Sequence, residues 1–138
     1  MKWILLLIFV IGSAVASAHT PPDGAKVFFI GLKNGDTVVS PVHIKFGIEG
    51  FGITPAGTTD KIRHYAGHFH LLVDLDRLPA LDEPIPRDAF HIHFDRGEAE
   101  TRLELLPGRH TLQLLLGDED HEPHEPPLIS ERIIIQVE

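Results

Sequence analysis

Cysteine is absent from this 138-residue chain, which removes disulfides, thiolate zinc sites, iron–sulfur clusters and cysteine nucleophiles together. Basic residues are few: 12 Lys and Arg face 20 Asp and Glu, for a net charge of −8 at pH 7. No basic surface is left to neutralise phosphates, so nucleic acid is excluded as a partner. Methionine and tryptophan occur once each, both within the first three residues. No apolar run reaches the roughly 20 residues that a membrane-spanning helix needs. Hydrophobic residues still make up 43% of the chain, too many for disorder and enough for the core of one domain. The residue in excess is histidine, ten against five lysines.

The N-terminus reads as an export signal. Lys2 supplies the positive charge, Trp3 to Ile11 is unbroken apolar sequence, and small residues lead to Ala16-Ser17-Ala18. We expect residues 1–18 to be a signal peptide cleaved near Ala18, giving a periplasmic or secreted mature protein without a membrane span. An uncleaved N-terminal anchor is the alternative, and the run is short for it. Cleavage after Ala18 would make His19 the new terminus, with an amine and an imidazole on one residue. Cleavage after Ala16 would leave Ser17-Ala18-His19, whose amine, amides and imidazole suit square-planar copper(II) or nickel(II). The plainer reading makes His19 part of a frayed tail, in a short linker over 19–25.

From Lys26 to the C-terminus the apolar pattern has period two, and no segment has helical spacing. Val42, Ile44, Phe46 and Ile48 alternate with His43, Lys45 and Gly47. Phe69, Leu71 and Val73 take one face of the next strand, and His68, His70, Leu72 and Asp74 take the other. A proline-rich stretch, 76–88, leads to Phe90-His91-Ile92-His93-Phe94, which alternates again. Asn34-Gly35-Asp36, Ser40-Pro41 and Pro107-Gly108 mark turns. About seven short strands at regular spacing predict an all-β, immunoglobulin-like sandwich over 26–138. A Greek-key or jelly-roll barrel is the competing architecture. The core is expected to hold Phe46, Phe69, Leu71, Val73, Ile92, Phe94, Leu112 and Leu114.

The strings AKVFFIGLKNGDTVVSPVHIKFGIEG, GHFHLLVDLDRLPALDEPIP, HIHF and PGRHTLQLLLGDEDHEPHEPP resemble the bacterial domain-of-unknown-function family 4399. The resemblance covers nearly all of the chain after the leader. It implies an exported bacterial domain and carries no biochemical activity with it. The family pattern has three consecutive histidines where this chain has His68-Phe69-His70. Parity turns Phe69 toward the core and leaves the two retained histidines on one face.

Function must therefore be read from the histidines. Residues i and i+2 of a strand share a face about 6.5–7 Å apart, close enough for two imidazoles to converge on one ion. His68/His70 and His91/His93 are two such pairs, and His121-x-x-His124 lies in the acidic loop GDEDHEPHEPP. With consecutive strands running up and down, these histidines, His64 and His19 gather toward one pole of a sandwich. His43 and His110 fall at the other pole and are assigned structural roles. The candidate metal ligands are His19, His68, His70, His91, His93, His121 and His124. Imidazole suits copper and zinc, and the mature chain lacks the sulfur ligands that favour copper(I), so copper(II) comes first and zinc second. Asp74, Asp118, Asp120, Glu122 and Glu125 read as a solvated acidic fringe. The competing function is an interaction or ligand-binding domain, with another exported protein as partner, whose histidines respond to pH. No Gly-x-Ser-x-Gly elbow or paired carboxylates mark an enzyme, so a metal centre is the remaining route to catalysis.

Overall fold

The computed structural model describes residues 20–138; the expected leader and His19 lie outside the described residues. Alternating apolar residues produce nine strands there: β1 (Lys26–Ile30), β2 (Thr37–Val38), β3 (Val42–Glu49), β4 (Gly52–Ile53), β5 (Ala66–Val73), β6 (His91–His93), β7 (Glu100–Leu103), β8 (Gly108–Gly117) and β9 (Ile133–Val137). Seven have three or more residues, the number expected, and β2 and β4 are two-residue additions. The one helical element among the described residues is a 3-10 turn, Lys61–Tyr65. None of their helices is long and apolar enough to cross a membrane.

The strands form a two-sheet, all-β sandwich. In the first sheet β3 lies between β1 and β7, antiparallel to both. In the second, β8 pairs antiparallel with β5 and β9, and the short β2 runs parallel along β9. The other edge of β5 carries β4 at its start and β6 beyond it. β6 thus belongs to the sheet of β5 and lies beside it, on the edge away from β8.

Phe46 of the first sheet meets Phe69 of the second with ring centroids 5.2 Å apart, and Phe94 at 4.7 Å. Phe69, Leu71, Val73, Leu112 and Leu114 complete the buried centre with Val27, Ile44 and Ile135, and Ile92 is partly buried against them. The period-two reading thus located this face of the core.

The other face of β5, to which parity assigns His68, His70 and Leu72, is covered as well. All eight residues of β5 are buried. The stretch 76–88 folds over the outer surface, where Ile85 packs with Leu72 and Leu115, backed by Leu75, Leu81 and Ile129. The backbone N–H of Ile85 donates to the His121 carbonyl at 2.9 Å, tying this stretch to the acidic loop. Two loops thus form a thin third layer, and they position the site.

Candidate metal centre

Strand parity puts His68 and His70 on the outer face of β5, beneath the two loops, and both are fully buried. Register supplies the third histidine: His70 lies directly opposite His93 on β6, and their ring centroids are 4.2 Å apart. His68 faces Gly117 at the end of β8. The missing side chain there makes room for His70, because a Cβ on Gly117 would sit 2.6 Å from the ring carbon Cε1.

The fourth histidine comes from the acidic loop. Beyond Gly117 the chain folds back, with Asp118 Oδ1 accepting the N–H groups of Asp120 and Glu122, each at 2.9 Å. His121 has a left-handed backbone, φ 66°, a conformation that costs a non-glycine residue about 1–2 kcal/mol. That conformation brings its ring to the other three. His68 Nε2 and His121 Nδ1 are 3.0 Å apart, and His93 Nδ1 and His121 Nδ1 are 3.3 Å apart. One ligand nitrogen from each of His68, His70, His93 and His121 lies within 4.8 Å of all the others.

These separations suit a metal ion. Bonds of about 2.0–2.1 Å set tetrahedral ligand atoms about 3.3–3.4 Å apart, so two of the contacts already have nearly that spacing. His93 Nε2 bonds the Pro86 carbonyl at 2.7 Å, which places the proton on Nε2 and leaves the Nδ1 lone pair facing the cluster. Burial holds His68, His70 and His93 in the neutral, ligating form. It lowers the pKa of His70 to about 2, assisted by repulsion from His68, His93 and His121. A contact with the Leu115 carbonyl offsets little of this. Burial, reinforced by His121, lowers His68 to about 4, and burial also lowers His93. Both ring nitrogens of His70 and Nδ1 of His68 are buried without a well-formed hydrogen bond. A buried polar group left this way costs about 1–3 kcal/mol, and an ion in the cluster would relieve it at one of the two His70 nitrogens.

The remaining candidates stand apart. His91 shares the face of His93 but lies farther along β6, opposite Leu72, and its Nδ1 pairs with Asp88 Oδ1 at 2.7 Å. His124 sits on the opposite face of the sheet, where it packs edge-on against Phe51 at 5.1 Å and closely over Gly67. The His-x-x-His motif is thus split across the sheet, because the left-handed His121 turns one ring outward. His64 lies in the 3-10 turn, outside the cluster. His43 pairs with Glu100 and His110 with Asp74, each at 2.7 Å, so both have carboxylate partners of their own. The rings converge on the sheet's outer face rather than on the tip of the sandwich.

A family model described as a domain of unknown function, DUF4399, matches residues 44–138, a span that contains all four clustered histidines. The chain belongs to this family. No curated protein and no solved structure matches the chain.

Within this DUF4399 domain, Asp95 was missed by the sequence reading. It follows His93 by two residues, so the parity that pairs His91 with His93 also points to it. Its Oδ1 is 3.6 Å from His93 Nδ1 and 3.9 Å from His121 Nδ1. Burial opposes its ionisation, but the Arg87 guanidinium on Oδ2, 2.7 Å away, keeps its pKa below the usual carboxylate value. Arg87 reaches it from the proline-rich stretch and carries no local signal.

Proposed function

We propose that this domain is a metal-binding module that holds copper(II) or zinc between His68, His70, His93 and His121. The observation that carries the reading is the convergence of four imidazoles, two of them fully buried, with neither ring nitrogen of His70 in a well-formed hydrogen bond. Imidazole is a good ligand for both metals, and the chain has no thiolate to favour other chemistry. An export signal in residues 1–18 would make it a periplasmic or secreted module.

The pH-responsive reading draws less support. A sensor near neutrality needs imidazoles that titrate there, and burial takes His68 and His70 well below that range.

Calorimetry of chelator-treated protein with copper(II) and with zinc at pH 7.5 tests the proposal. The expected dissociation constant is micromolar or tighter, about 8 kcal/mol. His68→Ala with His70→Ala removes most of the affinity, whereas His43→Ala and His110→Ala leave it unchanged. Protein beginning at Pro22 measures any share of His19. Binding of both metals weaker than about 0.1 mM refutes the proposal.

A further inference from the structure

We propose that Asp95 is the anionic ligand of this centre and that its carboxylate selects a divalent cation over a monovalent one. The inference rests on the metal-binding reading and adds to it a residue and a charge preference.

Four neutral imidazoles contribute no charge. A divalent ion among them would bring two positive charges to a place where His68 and His70 are fully buried. An uncompensated charge in such surroundings is unfavourable, so an anion beside the ion would favour binding. Asp95 stands at the His93–His121 side of the four clustered imidazoles, just outside the set whose ligand atoms all lie within 4.8 Å of one another. Although its side chain is 41% exposed, Oδ1 itself is shielded from solvent and has no hydrogen-bond partner. It faces the ligand nitrogens of His93 and His121. Oδ2 is held by Arg87, so one oxygen is anchored and the other is presented inward.

The anchoring is shared with a histidine. Pro86 accepts the Nε2 proton of His93, and the next residue, Arg87, holds Asp95. One dipeptide of the covering loop therefore orients two neighbouring ligands. The Asp95 backbone is fixed as well, because its carbonyl accepts the N–H of Ala56 at 2.8 Å. With Asp95 the donors number five, and at bonds of about 2.0–2.1 Å the edges of a five-coordinate shell run from about 2.9 to 3.6 Å. Oδ1 lies at or just beyond the long end of that range from His93 and His121, so the carboxylate turns inward to bind.

A carboxylate oxygen is a hard donor whose attraction scales with the charge on the ion. Removing its charge should weaken zinc and copper(II) much more than a soft monovalent ion. Titrating the full-length, chelator-treated protein with zinc and with silver(I) in chloride-free buffer reads the difference. Asp95→Asn is expected to lose about 10–100-fold in zinc affinity and less than about threefold in silver affinity. Asp95→Glu, which keeps the charge, restores at least part of the zinc preference. The copper(II) electron paramagnetic resonance spectrum of Asp95→Asn should also differ from wild type, since an anionic carboxylate donor is replaced by a neutral amide. Thermal melts of the metal-free variants confirm equal folding.

The outcomes separate the two readings. If wild type binds neither ion, the metal-binding reading fails and this inference fails with it. If wild type binds zinc and Asp95→Asn keeps both affinities and the copper spectrum, Asp95 is not a ligand and the four-histidine reading stands. Equal loss of both ions, or a Glu variant that behaves as Asn does, also overturns the assignment.

Discussion

Acidifying the metal-free protein should destabilise it through His68 and His70 in particular. In the unfolded chain each titrates near 6.5, whereas burial lowers the folded values to about 4 and about 2. A depressed folded pKa means that the unfolded chain binds more protons below pH 6.5. The stability these residues permit is therefore complete above that pH and is lost as pH falls toward the folded values. At pH 5 both rings are still mostly neutral in the folded state, and the cost is set by protonation of the unfolded chain. That cost is about 2 kcal/mol for each ring, or about 4 kcal/mol for the pair between pH 7.5 and 5. Against a typical domain stability of about 5–15 kcal/mol this is a large fraction. Urea unfolding of chelator-treated protein at pH 7.5, 6 and 5 measures it, with His68→Gln/His70→Gln as the reference that cannot titrate. Wild type should lose about 4 kcal/mol more than the double variant across this interval. Parallel loss in the two proteins would refute the reasoning, because the buried rings would then not be the groups that resist protonation. Zinc at 100 times its dissociation constant should add about 3 kcal/mol to wild type at pH 7.5 and almost nothing to the double variant.

Gly117→Ala places a Cβ 2.6 Å from the His70 ring, so zinc affinity in calorimetry should fall about tenfold or more while the sandwich survives at a cost of about 1–3 kcal/mol. An unchanged affinity would mean that the ring position is not set by this contact. For His110, burial opposes protonation, but Asp74 and the Leu106 carbonyl outweigh it and raise the pKa. The stability advantage of wild type over His110→Gln should be complete below about pH 6.5 and fade as pH rises through the raised folded value. Denaturant midpoints that diverge with rising pH would contradict it.

Strand parity could be read without any fold. Phe69 and Leu71 turn to the core and His68 and His70 to the opposite face because alternation is fixed by the local geometry of an extended backbone. The same rule gave the pairing of His91 with His93, and carried two residues further it would have found Asp95. Ser40-Pro41 and Pro107-Gly108 were likewise local signals, and together these were enough for an all-β sandwich of about seven strands. Parity says which face a side chain takes. It does not say what lies on that face.

Tertiary structure decided the rest. Pairing of β6 with β5 puts His93 opposite His70, and register between strands about 20 residues apart follows from the packing of the whole sheet. The cover of the outer face of β5 was not legible, because Ile85, which packs on Leu72 and Leu115, comes from a loop without a periodic signal. His121 and His124 are equivalent in sequence, yet one left-handed residue sends them to opposite faces of a sheet. Arg87 meets Asp95 through a side chain whose direction depends on how the proline-rich stretch lies over β5. The histidine pairs were therefore present in the sequence as local patterns. Only contacts between distant segments, which depend on the packing of the assembled sandwich, make four of those rings a single buried site.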